Sequence, residues 1–111
     1  VTSKEGEKIL PNILEKTQFK GECHVVNVED PHTGKDEIAR VSNEVTRYLE
    51  DTRKVVINLT GGTTLLNYML LKAGNEARHG KTIKTVIAVD KRTYEEQKRN
   101  PYVVGEVVEL D

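Results

Sequence analysis

The chain has 111 residues, of which 36% are hydrophobic and 32% charged, and its formal net charge is −1. This length fits a single domain with a modest core, and the near-neutral charge excludes the overall basic field that holds duplex nucleic acid. A lone cysteine excludes an internal disulfide, and no apolar run approaches the roughly 20 residues of a membrane span. We therefore expect one cytoplasmic domain over residues 1–111, with no membrane and no duplex nucleic acid among its partners.

The first half of the chain alternates helical and extended patterns. Apolar residues at helical spacing predict a helix over 7–16, and Pro11 predicts that this helix starts close to the proline, because proline suits a first turn. A valine-rich run predicts a strand over 22–29, and turn-forming residues predict a loop over 30–34. The period of the next apolar residues predicts a second helix over 36–51.

The second half continues the alternation and sets the expected fold class. Its predicted elements are a strand over 55–59, a helix over 63–79 that ends before Gly80, a strand over 85–90, a polar loop or short helix over 93–101 and a last strand over 102–110. Strands that alternate with helices predict an α/β fold with right-handed crossovers. We expect a Rossmann-like, mostly parallel sheet with helices on both faces and an antiparallel edge strand at the C-terminus.

The segment between the strand predicted over 55–59 and the following helix contains residues typical of a ligand site. It reads Asn58-Leu59-Thr60-Gly61-Gly62-Thr63-Thr64. A turn of this kind gathers unpaired backbone N–H groups at the positive end of a helix dipole, which favours an anion. The paired glycines allow positive φ and a close approach of the ligand to the backbone, and the neutral side chains add donors and acceptors. The segment therefore predicts a site for a phosphate-bearing small molecule.

The same turn also has a plainer interpretation. It matches neither the Walker A pattern nor the G-x-G-x-x-G spacing of dinucleotide-binding folds. Thr63 can simply be the N-cap of the following helix, in a tight connection without a ligand. A ligand site and a plain helix cap both stay open at this point, and so does an α/β domain that binds a mononucleotide or no ligand at all.

The residues 58–63, after an apolar strand and before a long helix, resemble the N-L-T-G-G-T signature of CARF domains, the CRISPR-associated Rossmann-fold sensors of type III CRISPR systems. Upstream, the residues 2–6 are similar to the T-S loop that follows an earlier strand in that family. The chain departs from the family at Thr64, where many members have lysine. On this resemblance, we expect that the family's first strand and helix are absent before Val1. We also expect that an effector domain is absent after Asp111.

The resemblance implies a domain that binds cyclic oligoadenylate, the second messenger of type III CRISPR antiviral defence. It also implies a homodimer whose ligand loops face each other across a two-fold axis, which suits a symmetric ring ligand. The implied ligand-binding residues lie in two loops. They are Thr2, Ser3 and Lys4, with Glu5 beside them, in the first loop, and Asn58, Thr60, Gly61, Gly62, Thr63 and Thr64 in the second.

Some CARF domains also cleave their ligand as ring nucleases, in a metal-independent reaction that uses the ribose 2′-OH as nucleophile. No residue of this chain is assigned as catalytic, because the sequence shows no alignment of groups, and Thr64 in place of lysine favours binding over cleavage. The histidines lack metal-ligand spacing, so neither a metal nor another cofactor is expected. Under the alternative of cleavage, the candidate helpers are Ser3, Lys4, Thr60, Thr63 and Lys91.

Overall fold

The computed structural model describes residues 1–101, 103 and 105–111. In this part of the chain, helices and strands alternate, which confirms the predicted α/β class. A short 3-10 helix at Lys35–Glu37 leads into the second helix. The elements are β1 (Thr2–Ser3), α1 (Lys4–Lys16), β2 (Asn27–Val28), α2 (Ile38–Tyr48), β3 (Lys54–Asn58), α3 (Thr64–Ala77), β4 (Thr82–Val89), α4 (Tyr94–Arg99) and β5 (Glu106–Glu109).

The strands form two sheets. β1 and β2 pair in parallel, with Thr2 opposite Asn27, whereas β3, β4 and β5 form a mixed sheet in that order. Within the mixed sheet, β3 is parallel to β4 and β5 is antiparallel to β4. The single, mostly parallel sheet of a Rossmann-like fold is therefore not confirmed. The strand predicted over 22–29 pairs at only two residues, because its partner β1 is itself two residues long.

The antiparallel C-terminal edge strand is present at β5, with Val89 of β4 opposite Glu106. Positions 102 and 104 of the strand predicted over 102–110 lie outside the described residues. The mixed sheet has α3 on one face, where Ile57 contacts the backbone at Gly74. On the other face Val56 is 63% exposed and Val107 62% exposed. The expectation of helices on both faces is therefore not met at these positions.

The first helix begins earlier than predicted. Ser3 is its N-cap, and the Ser3 Oγ accepts a hydrogen bond from the backbone N–H of Gly6 at 3.3 Å. Pro11 lies inside the helix, so the expectation that the helix starts close to this proline is wrong. The Ser3 cap and the negative charge of Glu5 in the first turn stabilise a helix that begins at Lys4. This stabilisation offsets the loss of the one backbone hydrogen bond that Pro11 cannot donate.

The core lies where β2, α2 and α3 meet. Val28 and Val41 are fully buried, and Met69 of α3 is 1% exposed. Apolar residues of this size contribute about 1.5–3 kcal/mol each when buried, so this cluster fixes α3 relative to β2. As a result, the N-terminus of α3 and the loop that follows β2 lie at the same end of the fold.

A polar contact joins α2 to α3 beside this core. The buried Ser42 hydroxyl donates a hydrogen bond to Glu76 Oε2, and Lys72 Nζ lies 3.1 Å from Glu76 Oε1. The hydrogen bond from Ser42, and after it the contact with Lys72, holds the pKa of Glu76 below its ordinary value. The two helices are thereby fixed at the C-terminal part of α3 as well as through the apolar core.

Candidate functional site

The glycine turn between β3 and α3 has the predicted strand–turn–helix geometry. Gly61 and Gly62 adopt φ angles of +75° and +70°, in the left-handed region that favours glycine. Thr63 is extended, and its Oγ1 accepts a hydrogen bond from the backbone N–H of Leu66 at 3.2 Å. Thr63 is therefore the N-cap of α3, as the plainer interpretation of the sequence proposed. An N-cap does not exclude a ligand, because it accepts from only one of the four unpaired N–H groups of a helix N-terminus.

Three polar side chains of the turn are engaged within the protein. Asn58 Oδ1 accepts a hydrogen bond from the backbone N–H of Thr60 at 3.0 Å. The Thr60 hydroxyl accepts one from the backbone N–H of Ala88 in β4, and the Thr63 hydroxyl donates one to the carbonyl oxygen of Pro31. These bonds hold the turn against its neighbours. The contribution of the turn to anion binding therefore rests on its backbone N–H groups more than on its side chains.

The turn opens onto a groove of about 950 Å³ that separates it from α1. Thr2 and Ser3 lie on the α1 side of this groove, and the residues 60–63 lie on the other. A Cβ added at Gly61 would meet no atom within 4 Å, so the backbone at this glycine faces open space. The apolar residues among the described lining of the groove are Ile9, Leu10, Ile13, Pro31 and Leu66.

The structure brings together six of the nine residues predicted to bind ligand: Thr2, Ser3, Thr60, Gly61, Gly62 and Thr63 all line this groove. Glu5 also lines it. The other three predicted residues, Lys4, Asn58 and Thr64, are not among its lining residues. Lys4 instead lines a separate cavity of about 380 Å³ with Glu37 and Arg40. Lys91, a candidate helper for cleavage, forms an ion pair with Glu106 at 2.8 Å and lines a third cavity.

The loop after β2 contributes two lining residues, Pro31 and His32, that the sequence did not place at the site. The loop is held from both sides. Asp30 Oδ1 accepts hydrogen bonds from the backbone N–H groups of His32 at 3.1 Å and Thr33 at 2.9 Å. Hydrogen bonds from Thr33, first from its side chain and then from its backbone, hold the pKa of Asp30 below its ordinary value. The turn chemistry was visible in the sequence, but the partner of Pro31 was not, because Thr63 lies 32 residues away.

Glu37 anchors the other end of this loop. Its carboxylate accepts hydrogen bonds from the backbone N–H groups of Glu29 at 2.8 Å and Asp30 at 2.9 Å, and Arg40 lies 2.9 Å from Oε1. The backbone donors, Asp30 before Glu29, hold the pKa of Glu37 below its ordinary value, with a smaller contribution from Arg40. The loop is thus fixed to the start of α2 and, through Pro31, to the N-cap of α3.

Comparison of the sequence with protein-family models and with curated proteins gave no match. None of the helices in the described part of the chain combines the length and the apolar character that crossing a bilayer requires. Over the same residues, no group of three or more His, Cys, Asp or Glu side chains is placed to hold a metal ion. The groove and the residues that line it are therefore the features of the chain from which its function is inferred.

Proposed function

We propose that the chain is a Rossmann-like CARF domain that binds cyclic oligoadenylate in type III CRISPR antiviral signalling, as a cytoplasmic homodimer. The observation that carries this proposal is the shared groove. The Thr2–Ser3 segment and the turn at 60–63, remote from each other in sequence, line the same groove. These are the two segments in which the resemblance to CARF domains implies the ligand-binding residues.

The chemistry of the groove suits an adenylate ligand. The N-termini of α1 and α3, capped by Ser3 and Thr63, both lie at the groove, and each carries a partial positive charge that favours phosphate. Ile9 and Ile13 of α1 supply an apolar wall on which a purine base can pack. A groove with a polar end and an apolar wall matches a ligand made of phosphates, riboses and adenines.

The order of elements supports a Rossmann-like relationship. Both parallel strand pairs are joined through a helix: β1 and β2 through α1, and β3 and β4 through α3. In folds built from such units, ligands bind at the carboxyl ends of the strands, which is where the turn at 60–63 lies. A two-fold dimer would place two such grooves opposite each other and present a symmetric surface to a ring.

Binding without cleavage is the favoured form of the proposal. The Ser3 and Thr63 hydroxyls accept hydrogen bonds as helix caps, and neither Lys4 nor Lys91 lines the groove. A ring nuclease must hold the ribose 2′-OH in line and stabilise charge on the phosphate. Of the candidate helpers, Ser3 and Thr63 are engaged as helix caps, and Lys4 and Lys91 lie outside the groove lining.

The proposal is tested by calorimetric titration of the purified chain with cyclic tetra-adenylate and cyclic hexa-adenylate. Linear oligoadenylates of the same lengths are the controls, and the recovered nucleotide is analysed by mass. Saturable binding of one ring per two chains, with intact ligand, is expected. Linear products would instead identify a ring nuclease. Failure of both rings to bind would contradict the proposal and leave the turn as a helix cap.

A further inference from the structure

We propose that His32 supplies the positive charge that contacts a phosphate of the ligand in the groove. This inference rests on the proposed function, since it assigns one contact within the same site. The sequence predicts a loop over 30–34 and gives His32 no role, and the resemblance to CARF domains implies Lys4 as a ligand-binding residue instead.

The inference follows from the charges of the side chains that line the groove. Among the described residues that line the groove, Glu5 is the one side chain with a formal charge at neutral pH, and His32 is the one with a basic nitrogen. An imidazole gains a proton readily when an anion binds beside it. Without His32, the side chains that line the groove would present one carboxylate and no cation to a ligand that carries several phosphates.

The backbone of His32 is held in place by its neighbours. The carbonyl oxygen of Pro31, the residue before it, accepts a hydrogen bond from the Thr63 hydroxyl, which is itself the N-cap of α3. The backbone N–H of His32 is bound to Asp30 Oδ1 at 3.1 Å. His32 therefore lies on a loop that is already hydrogen-bonded to the glycine turn, so the backbone needs little ordering when the imidazole contacts a phosphate.

Two substitutions separate charge from shape. His32→Gln keeps a polar side chain without the charge, and His32→Lys restores a cation. His79→Gln is the matched control, because His79 is also exposed but does not line the groove. Calorimetric titration with the ring that wild type binds is expected to show about tenfold weaker binding for His32→Gln, the usual scale of a lost hydrogen bond to a charged group. His32→Lys is expected to bind like wild type, and so is His79→Gln.

Wild-type affinity in His32→Gln would overturn the assignment, and so would a His32→Lys variant as weak as His32→Gln, because the contact would then not be a charge. A second measurement does not depend on the ring. Titration of wild type with inorganic phosphate, followed by the histidine ring resonances, is expected to shift the signals of His32 and leave those of His79 unchanged. Absence of a His32 shift would overturn the assignment. Failure of the rings to bind while phosphate still shifts His32 would contradict the proposed function alone.

Discussion

Replacement of Gly61 by alanine, compared with the same replacement at Gly80, distinguishes an effect on ligand contact from an effect of backbone strain on stability. Gly61 and Gly80 make a matched pair, because their φ angles are +75° and +72°. A Cβ at either position would meet no atom within 4 Å. Gly61 lines the groove, whereas Gly80 follows the end of α3 and does not. Alanine at each site therefore introduces the same strain but only one of the two methyl groups enters the groove.

The expected stability change is the same for both variants. An alanine at positive φ costs about 1 kcal/mol relative to glycine, with no clash to add to it here. For a chain of this length, that loss lowers the melting temperature by about 4 °C. Ligand binding is expected to differ. In Gly61→Ala, the new methyl group would lie between the backbone N–H groups of the turn and a phosphate. The variant is therefore expected to bind about tenfold more weakly.

Differential scanning calorimetry gives the two melting temperatures, and isothermal titration with the cyclic oligoadenylate gives the two affinities. The expected pattern is equal destabilisation with weaker binding in Gly61→Ala alone. Wild-type affinity in Gly61→Ala would show that the phosphate does not approach this backbone and would contradict the prediction. Equal loss of affinity in Gly80→Ala would refute it as well, since the effect would come from stability and not from contact.

Further predictions concern stability. Thr63→Ala is expected to lower the free energy of unfolding by about 1 kcal/mol through loss of the α3 N-cap, while Thr63→Ser keeps it; chemical denaturation checks both, and equal stabilities would contradict the cap. Ser42→Ala is expected to lower the melting temperature by about 4 °C, because Glu76 loses a hydrogen bond. An unchanged melting curve would show that this hydrogen bond does not contribute to the stability of the fold. The pKa of Glu37 is lowered on folding, so its contribution is fully present above its ordinary value of 4.5 and is lost as the pH falls through its lower folded value. Melting curves at decreasing pH are therefore expected to show falling stability in acid, and a smaller fall in Glu37→Gln; the same fall in both proteins would contradict this cause.

The turn could be predicted from sequence because its causes are local. Two adjacent glycines allow two positive φ angles, and Thr63 finds its hydrogen-bond partner three residues later. The helix that follows is amphipathic enough to be recognised, and it begins at Thr64, within one residue of the predicted start. Local chemistry of this kind is contained in a short window of sequence.

Features that depend on distant partners could not be predicted in the same way. Pro11 predicts a nearby helix start because proline suits a first turn, but the cap at Ser3 sets the start of α1. The length of β2 depends on β1, which pairs with it at two residues. The position of His32 beside the groove depends on the hydrogen bond between Thr63 and Pro31, which no spacing in the sequence reveals.

We propose that one groove, lined by both the Thr2–Ser3 segment and the turn at 60–63, binds cyclic oligoadenylate. Backbone amide resonances of the labelled protein, followed during titration with cyclic tetra-adenylate and cyclic hexa-adenylate, test it most directly. We predict that one of the rings shifts the amides of Ser3 and of Gly61 and Gly62 together, with a common affinity. Shifts confined to one of these two segments, shifts elsewhere in the chain, or no shifts with either ring would contradict the proposed site.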